Sequence, residues 1–448
     1  MTILCRFAPS PTGFLHVGNI RAAIVNFLYC KKVGGKFMLR LDDTDETRST
    51  DEFRDMIIKD MAWLGLEFDE LVKQSDHVSQ YETARDALLK SGRIYECFES
   101  EAELKMQRRN QVSAGQRPLY NRHALNLSDN EKQKLRDEGK KPHYRFLLKD
   151  QKTAWSDKIK GEIEYDGIHF SDPVVFRENG CPTYTFCSVV DDLKMGVSDI
   201  IRGEDHITNT AVQIQIFQAL IEAGLEGAIP DFAHLALVQA IEGKISKRVG
   251  GFDVKTLRED GIEAMALLNL LAQIGTSKPV VIYKTLDELI ANFDFGIFSK
   301  SAMKYDLDEV KVVNHKLLQI LNFEDVESRL GEIGVDVTKE FYENIKPNLN
   351  LLSEIVTWDE ICNKPFRNNN ASEDKEFLQK ALKVLPQDTK DEKCWKDWLG
   401  EIKKNTDRKG KALFMPIRKA LTGLEHGPQL NDLINLISRD EIIARLID

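Results

Sequence analysis

The sequence predicts an α/β protein that ends in an all-α region. Residues 1–96 alternate strand and helix signals, which is typical of a parallel sheet with ligands at the carboxyl ends of its strands. The alternation breaks over residues 97–181, which predicts an inserted α+β domain, and it resumes over 182–240. From about residue 255 the apolar spacing is almost wholly helical. We therefore expect a sheet domain, an insertion and a largely helical C-terminal part.

The first two strand–helix units justify the parallel sheet. The apolar run at residues 3–8 predicts a strand, and a turn rich in proline and glycine separates it from a helix that reaches Lys32. A second strand is predicted over 36–41, directly before Asp42. Ser49 and Glu52 have the spacing of a capping box for the helix that follows. The turn after the first strand and the acidic cluster after the second fall at the same sheet edge, which indicates a site there.

Composition excludes several classes of protein. The chain has 448 residues, which favours several domains, and it is 42% hydrophobic and 30% charged, as soluble proteins are. The first ten residues have neither the basic nor the apolar region of a signal peptide, and no apolar run reaches about 18 residues, so we expect neither export nor a membrane-spanning segment. Seven cysteines without a C-x-x-C pair predict a cytoplasmic location. The net charge of −10 leaves nucleic acid open, because a local patch decides phosphate binding.

His16 lies in "FAPSPTGFLHVGN", where a helix is predicted to begin. Free N–H groups and the positive end of the helix dipole favour phosphate at such a terminus, and the imidazole can add a donor. Gly18 would let a base or ribose approach the backbone. In the alternative interpretation, His16 only caps the helix and the glycines only make a turn.

The loop "GKISKRVGG" concentrates positive charge between glycines. Its cations are Lys244, Lys247 and Arg248. Such a loop could close on a polyphosphate and stabilise a departing pyrophosphate, although an ordinary solvated basic turn has the same composition. The G-x-x-x-x-G-K-[ST], G-x-G-x-x-G and kinase signatures are absent from the sequence, so ATP would have to bind in another way.

Arg202 ends an apolar strand in "IIRGEDH". A cation there is costly unless an anion pairs with it. The sequence leaves two partners open: a structural ion pair with Glu204 or Asp205, and the carboxylate of a substrate held by a bidentate clamp.

Taken together, these motifs resemble a known family. The segments "RFAPSPTGFLHVGN", "RLDDTDETRST", "PTYTFCSVVDD", "IRGEDHITNT", "KISKR" and "GKALFMPIRKALTG" occur in this order from residue 6 to residue 423. This pattern resembles the bacterial type of glutamyl-tRNA synthetase, a class I aminoacyl-tRNA synthetase. The resemblance implies a Rossmann-like catalytic domain, an inserted domain that binds the tRNA acceptor end, a stem-contact domain over 241–320 that carries the KISKR loop, and an α-helical anticodon-binding region.

The resemblance also implies roles for particular residues. The implied ATP site consists of His16, Gly18, Asp205, Lys244, Lys247 and Arg248, with His16, Lys244 and Lys247 as the catalytic group. The implied glutamate site consists of Arg6, Ala8, Ser10, Asp42, Tyr184, Ser188 and Arg202. Arg202 would bind the side-chain carboxylate, and a neutral amide would leave its charge without a partner, which excludes glutamine. Asp42 would bind the α-ammonium group.

The implied reaction uses ATP with Mg²⁺. Glutamate would form glutamyl-adenylate, which a ribose hydroxyl at the 3′ end of tRNA(Glu) then attacks, and positioning and electrostatics would supply the catalysis. Members of the family generally activate glutamate only when tRNA is bound.

Residues 401–420 hold seven Lys or Arg against two Asp or Glu, which predicts an RNA-binding patch, with a solvated helix face as the alternative. A monomer is expected.

Several residues depart from the family pattern. Asp42 stands where many members have Glu, and Ser188 where some have Asn. Many bacterial members hold zinc in the insertion, but here Cys97 remains with Glu99 and His123, which argues against zinc.

Asn348, in "IKPNLNLL", falls where discriminating members place an arginine that reads the anticodon. We hypothesise that the enzyme also, or preferentially, charges tRNA(Gln), the alternative being that Asn348 is a solvated helix residue.

Three rival functions remain at this stage. A shorter relative transfers glutamate to a modified tRNA base, but it lacks a tail such as 321–448. A small nucleotidyltransferase would not need the insertion, Arg202 or the tail. A non-catalytic tRNA-binding relative would have no reason to keep His16, Lys244 and Lys247.

Overall fold

The structure is a computed structural model that describes residues 2–45, 47–240, 253–365, 374–391 and 393–447. The chain divides into two compact units, which are Met1–Glu259 with Leu267–Leu307, and Asp260–Ala266 with Asp308–Asp448. Lys244, Lys247 and Arg248 lie outside the described residues.

The first unit opens with alternating strands and helices. In chain order they are β1 (Leu4–Phe7), α1 (Val17–Lys32), β2 (Lys36–Leu41), α2 (Asp51–Trp63), β3 (Glu70–Lys73), α3 (Val78–Lys90) and β4 (Ile94–Cys97). The elements that follow, up to the resumption of the alternation, are α4 (Glu101–Ser113), α5 (Asp129–Asp137), β5 (His143–Phe146), β6 (Lys152–Asp157), β7 (Gly161–Asp166) and β8 (Val174–Phe176).

The alternation then returns as predicted. Its elements are α6 (Tyr184–Lys194), β9 (Asp199–Gly203), α7 (Ile207–Glu222), β10 (Asp231–Leu235) and β11 (Val238–Ala240). Short elements complete this part of the chain: α8 (Val254–Glu259), α9 (Ala264–Gln273), α10 (Leu286–Ala291) and β12 (Met303–Tyr305).

The main sheet has the strand order β3-β2-β1-β9-β10-β6-β7. The pairs from β3 to β6 are parallel and β6 pairs with β7 antiparallel. Helix α1 packs against β1, β2 and β9. Helices α3, α6 and α7 pack on one another in a core that includes Phe186, Phe217 and Phe232. Because side chains alternate across a strand, residues at successive positions of β1 face different helices.

The second unit is helical. Its helices are α11 (Leu307–Ile320), α12 (Phe323–Glu332), α13 (Lys339–Ile345), α14 (Ile355–Asn363), α15 (Lys375–Lys383), α16 (Cys394–Lys404), α17 (Lys411–Thr422), α18 (Leu430–Ile434) and α19 (Arg439–Ile447). Trp398 is fully buried and its indole N–H donates to the carbonyl oxygen of Ala381. Within the described chain, no helix has both the length and the apolar character needed to cross a membrane.

The structure corrects three details of the sequence analysis. The N-cap of α2 is Thr50, which accepts a hydrogen bond from the Phe53 amide, so the capping box predicted at Ser49 is wrong. Strands β6 and β7 extend the main sheet, although the sequence assigns them to the insertion, whose boundaries at 97 and 181 stay a prediction. The short strand β12 gave no strand signal because it has only three residues. The predicted α/β class with a helical C-terminal region is confirmed.

Candidate active site

A cavity of about 500 Å³ opens at the carboxyl ends of β1, β9 and β10, the edge where the sequence predicts a site. Residues of the predicted ATP site and of the predicted glutamate site both line this cavity. Those that line the cavity are Arg6, Ala8, His16, Gly18, Tyr184, Arg202 and Asp205. The first strand, the first turn and the segment after β9 therefore converge on one space, although they are far apart in sequence.

His16 is the N-cap of α1. Its Nδ1 accepts hydrogen bonds from the amides of Gly18 (3.1 Å) and Asn19 (3.3 Å). The capping interpretation is thus observed, and it fixes the tautomer: Nδ1 is unprotonated, so Nε2 carries the proton of the neutral ring. A Cβ on Gly18 would lie 3.0 Å from two ring atoms of His16. Glycine at this position therefore lets the imidazole lie over the first turn of the helix.

The segment with the predicted lysines is flanked by residues of this site. Gln239, just before the segment 241–252, lines the cavity. Asp253, just after it, forms an antiparallel bridge with His16, and the Val254 amide donates to the carbonyl oxygen of Leu15 at 3.1 Å. Both flanks of the segment therefore lie beside the cavity.

Arg202 has neutral partners. It is only 7% exposed, and its Nη2 donates to Thr210 Oγ1 and to Gln213 Oε1, both at 2.6 Å. Nη1 donates to the Tyr184 hydroxyl at 3.3 Å, and Nε has no partner among the described residues. Burial lowers the pKa of Arg202. The structural ion pair with Glu204 or Asp205 is not present among the described residues.

Arg6 and Arg40 have the opposite environment. Arg6 donates to both oxygens of Asp192 at 3.2 and 3.3 Å. Arg40 donates to Asp192 at 2.6 Å and to Asp42 at 2.8 Å, and Asp191 lies 3.9 Å away. Burial would raise the pKa of Asp192, but Arg6 and Arg40 hold it below its usual value. If all are ionised, two guanidinium groups face three carboxylates and the cluster carries one excess negative charge.

Asp42 and Ser10 line a second cavity of about 850 Å³, outside the first one. Tyr184 borders both cavities. Asp42 is 5% exposed, its Oδ2 has no partner among described atoms, and burial raises its pKa to about 6 against the effect of Arg40. Ser188 is buried on α6, outside the lining of either cavity, and its hydroxyl also lacks a partner in the described part of the chain.

Sequence reasoning missed the partners of these arginines. Asp191 and Asp192 lie in the quoted segment "SVVDD", where two consecutive carboxylates in an apolar helix were a usable signal. Arg40 interrupts the apolar strand "KFMLRL", the same signal that singled out Arg202. Thr210 and Gln213 gave no signal, because small polar residues in a helix are common.

The residues that remain at the family's zinc position are partly regrouped in the structure. Cys97 and Glu99 lie beside His143, not His123, and their ligand atoms are all within 4.8 Å of one another. Cys97 and His143 are partners across β4 and β5. Burial raises the pKa of Cys97 to about 12 and lowers that of His143 to about 4, so both are neutral at pH 7. The absence of zinc stays a prediction.

Asn348 is half-buried at the end of a short 3₁₀ turn, Lys346–Asn348, between α13 and α14. The carbonyl oxygen of Lys346 in this turn accepts from the Gln319 side chain at 2.8 Å. The turn is therefore fixed to α11, and Asn348 is not part of a regular helix.

Fold and sequence identify the class of the protein. Residues 2–312 match the family described as "tRNA synthetases class I (E and Q), catalytic domain", and residues 322–448 match an anticodon binding domain. The chain therefore belongs to the class I aminoacyl-tRNA synthetases of the glutamate and glutamine group.

Relatives place it within that class. It is 48% identical to glutamate–tRNA ligase 2 of Orientia tsutsugamushi, and the alignment covers the whole of this chain and 99% of that protein. It is 44% identical to glutamate–tRNA ligase 1 of Rickettsia felis, and that alignment covers 99% of each chain. The chain is also similar to the crystal structure of a glutamate–tRNA ligase from Elizabethkingia meningosepticum in complex with its amino acid, with a TM-score of 0.82 and 26% sequence identity. The superposition covers the whole of this chain and 98% of the Elizabethkingia chain. The chain belongs to the glutamate–tRNA ligase family, and the resemblance is confirmed.

Proposed function

We propose that this chain activates L-glutamate with ATP and transfers it to the 3′ end of tRNA(Glu). The observation that carries the proposal is the cavity in which the cap residue His16 and the buried, uncompensated Arg202 face the same space. A nucleotide and a carboxylate can thus bind next to each other, which the formation of an acyl-adenylate requires.

The charges of the site suit glutamate. Arg202 offers a positive charge with neutral partners, and the Arg6–Arg40–Asp42–Asp191–Asp192 cluster offers an excess negative charge when its three carboxylates are ionised, although burial raises the pKa of Asp42 and of Asp191. The side-chain carboxylate would bind Arg202 with Tyr184, and the α-ammonium group would lie toward the cluster, with Asp42 as its nearest excess carboxylate. Arg6 and Ala8, which line the cavity, and Ser10, which lines the neighbouring one, would complete the pocket, whereas Ser188 lines neither cavity and would support the pocket without touching the substrate.

His16 would donate from Nε2 to a phosphate oxygen of ATP, and Gly18, which lines the same cavity and leaves room for the His16 ring, would lie beside the nucleotide. Lys244, Lys247 and Arg248 would stabilise the departing pyrophosphate. The support for this role is that the segment containing them is flanked by cavity residues.

The same cavity fits Mg²⁺ carried by ATP. Mg²⁺ is bound mainly by substrate phosphates and water with one or two carboxylates, and Asp205 is an exposed carboxylate in the lining. The ion would supply charge neutralisation at the phosphates. The protein's own contribution is to hold the α-carboxylate of glutamate beside the α-phosphorus and to exclude competing orientations.

A His16→Asn variant separates capping from ATP binding. Asparagine caps helices well, so stability should stay within about 0.5 kcal/mol of wild type. The KM for ATP should rise about tenfold, because the Nε2 donor is lost. An unchanged KM for ATP would leave His16 as a cap alone.

Lys247→Ala tests catalysis against simple RNA binding. We expect adenylate formation, measured as glutamate-dependent pyrophosphate exchange in the presence of tRNA, to fall about 100-fold or more while tRNA affinity stays nearly constant. Retention of full exchange activity would contradict the assigned role.

We propose that residues 97–181 bind the tRNA acceptor end, that 241–320 contact the stem, and that 321–448 read the anticodon. Activation of glutamate would depend on bound tRNA. A cytoplasmic monomer is the expected form, and the seven cysteines, all free thiols, fit a reducing compartment.

Asn348 leads to the proposal that tRNA(Gln) is also charged. A half-buried amide on a turn fixed by Gln319 discriminates less by charge than a guanidinium would. Charging of labelled glutamate onto tRNA(Glu) and tRNA(Gln) transcripts, with glutamine as the control amino acid, tests this. Charging of tRNA(Glu) alone would contradict the relaxed specificity without affecting the ligase function.

A further inference from the structure

Arg202 is connected to a line of buried polar residues that extends away from the cavity. Its Nη2 donates to Thr210 Oγ1, which lies 2.9 Å from Nε2 of His234. Nδ1 of His234 lies 2.5 Å from Oδ2 of Asp157. Asp157, His234 and Thr210 are at most 3% exposed, so water does not compete for these contacts.

The donors and acceptors in this line have one consistent assignment. An ionised carboxylate only accepts, so Nδ1 of His234 carries the proton and Nε2 accepts in the neutral ring. A guanidinium only donates, so the Thr210 oxygen accepts from Arg202 and its hydroxyl proton points to His234. The other acceptor for that proton, the carbonyl oxygen of His206, is more distant at 3.2 Å. Burial lowers the pKa of His234, which keeps the ring neutral.

The sheet makes this line rigid. His234 and Arg202 are register partners on β10 and β9, and Asp157 ends the neighbouring strand β6. Backbone amides of Ile159 and Lys160 hold Oδ1 of Asp157 at 3.0 and 2.8 Å. The position of Thr210 is therefore determined by three adjacent strands as well as by its own helix.

We propose that His234, oriented by Asp157, is a positioning residue for glutamate recognition, which acts through Thr210 to hold Arg202 with its donors toward the cavity. The inference rests on the proposed role of Arg202. With Nη2 used by Thr210 and Gln213 and with Nε buried, the donor left for a ligand is Nη1, which also contacts the Tyr184 hydroxyl. A fixed set of donors favours a carboxylate over an amide, whose NH₂ group would face them without an acceptor.

The test compares matched substitutions in the full-length enzyme with tRNA. Thr210→Val removes the hydroxyl without changing the shape, Thr210→Ser keeps it, and His234→Phe removes both ring contacts. Gln215→Leu is the control for lost buried polarity on the same helix, because Gln215 is 3% exposed and bonds to Lys149, away from Arg202. The measured quantities are kcat and the KM values for glutamate and ATP.

We expect Thr210→Val and His234→Phe each to raise the KM for glutamate about tenfold and to leave kcat and the KM for ATP within about twofold. Thr210→Ser should keep the wild-type KM for glutamate. The Thr210→Val/His234→Phe double variant should raise this KM no more than either single variant, since the two substitutions break the same line of contacts. Where His234→Phe does not fold, the comparison of Thr210→Val with Thr210→Ser carries the test.

The negative results are distinguishable. If Arg202→Met leaves the KM for glutamate unchanged, the proposed role of Arg202 is wrong and this inference is wrong with it. If Arg202→Met raises that KM but Thr210→Val does not, only the positioning role is wrong. The positioning role is also wrong if Thr210→Val and Gln215→Leu raise the KM for glutamate equally, or if Thr210→Val raises the KM for glutamate and the KM for ATP equally. A general loss of packing would then explain the change in KM.

Discussion

Arg6 and Arg202 are both buried on neighbouring strands at the same cavity, but they differ in what surrounds them. Arg6 faces Asp192, and with Arg40 it belongs to a cluster in which carboxylates outnumber guanidinium groups. Arg202 faces hydroxyl and amide oxygens only, among the described residues. In the first arrangement the protein itself supplies the counter-charges of both arginines, whereas no carboxylate among the described residues pairs with Arg202.

The difference separates support from recognition. A buried charge without a counter-charge is costly, so it persists where a ligand supplies the missing charge. A compensated cluster can stabilise the sheet without a ligand. Under the proposed function, we therefore expect Arg202 to distinguish glutamate from glutamine, and we expect Arg6 to hold Asp192 and the shape of the pocket.

The largest expected effect is on Arg202 itself. Arg202→Met should lower kcat/KM for glutamate about 1000-fold, equivalent to about 4 kcal/mol, because the substrate carboxylate would be desolvated without a partner. Steady-state charging of tRNA(Glu) measures this. With glutamine as substrate the same change should alter kcat/KM less than about threefold, and a loss below tenfold for glutamate would remove the contrast with Arg6.

The compensated cluster should respond in stability. Asp192→Asn takes the shared carboxylate from Arg6 and Arg40 and should lower the free energy of unfolding by about 3–5 kcal/mol, measured by denaturant titration. Asp86→Asn is the matched control. Its carboxylate pairs with Arg85 but is 65% exposed, so its loss should cost less than about 1 kcal/mol. Equal costs for the two variants would contradict the description of a compensated buried cluster.

The excess carboxylate of the cluster should appear in the pH dependence of stability. Burial raises the pKa of Asp42 to about 6, above the unfolded value, so the folded state holds a proton that the unfolded state releases. The contribution of Asp42 to the free energy of unfolding therefore falls as pH rises from about 4 to about 6, by at most about 3 kcal/mol. Asp42→Asn should become more stable relative to wild type over this range. A constant difference between the two proteins would show that the carboxylate is fully compensated.

The smallest expected effect belongs to Tyr184. Its hydroxyl contacts Arg202 Nη1 at 3.3 Å and the side chain is 36% exposed, so Tyr184→Phe should raise the KM for glutamate about threefold. The ring remains as the border between the two cavities, and kcat should stay near the wild-type value. A rise comparable to that of Arg202→Met would mean that Tyr184, rather than the guanidinium, recognises the carboxylate.

Sequence predicted the fold class and the sheet edge well, because strand periodicity and turn residues are local signals. The bounds of β2 and the end of the first helix at Lys32 followed from such patterns, whereas the helix begins at Val17, before the first apolar position of its predicted face, Ile20. The pairing of Arg40 with Asp192 could not be predicted, since it depends on α6 returning to the sheet 152 positions later in the chain. The line from Arg202 to Asp157 likewise depends on the strand order β9-β10-β6, which crossovers determine and local periodicity does not.

The most direct test is the free energy of unfolding of wild type and Arg202→Met, each with and without saturating glutamate. The account predicts that the variant without glutamate is within about 1 kcal/mol of wild type, because the loss of contacts to Thr210 and Gln213 offsets the removal of a buried charge. Glutamate should stabilise the wild type and leave the variant unchanged. A variant that is several kcal/mol less stable but is still stabilised by glutamate would show that Arg202 is structural, and would contradict the account.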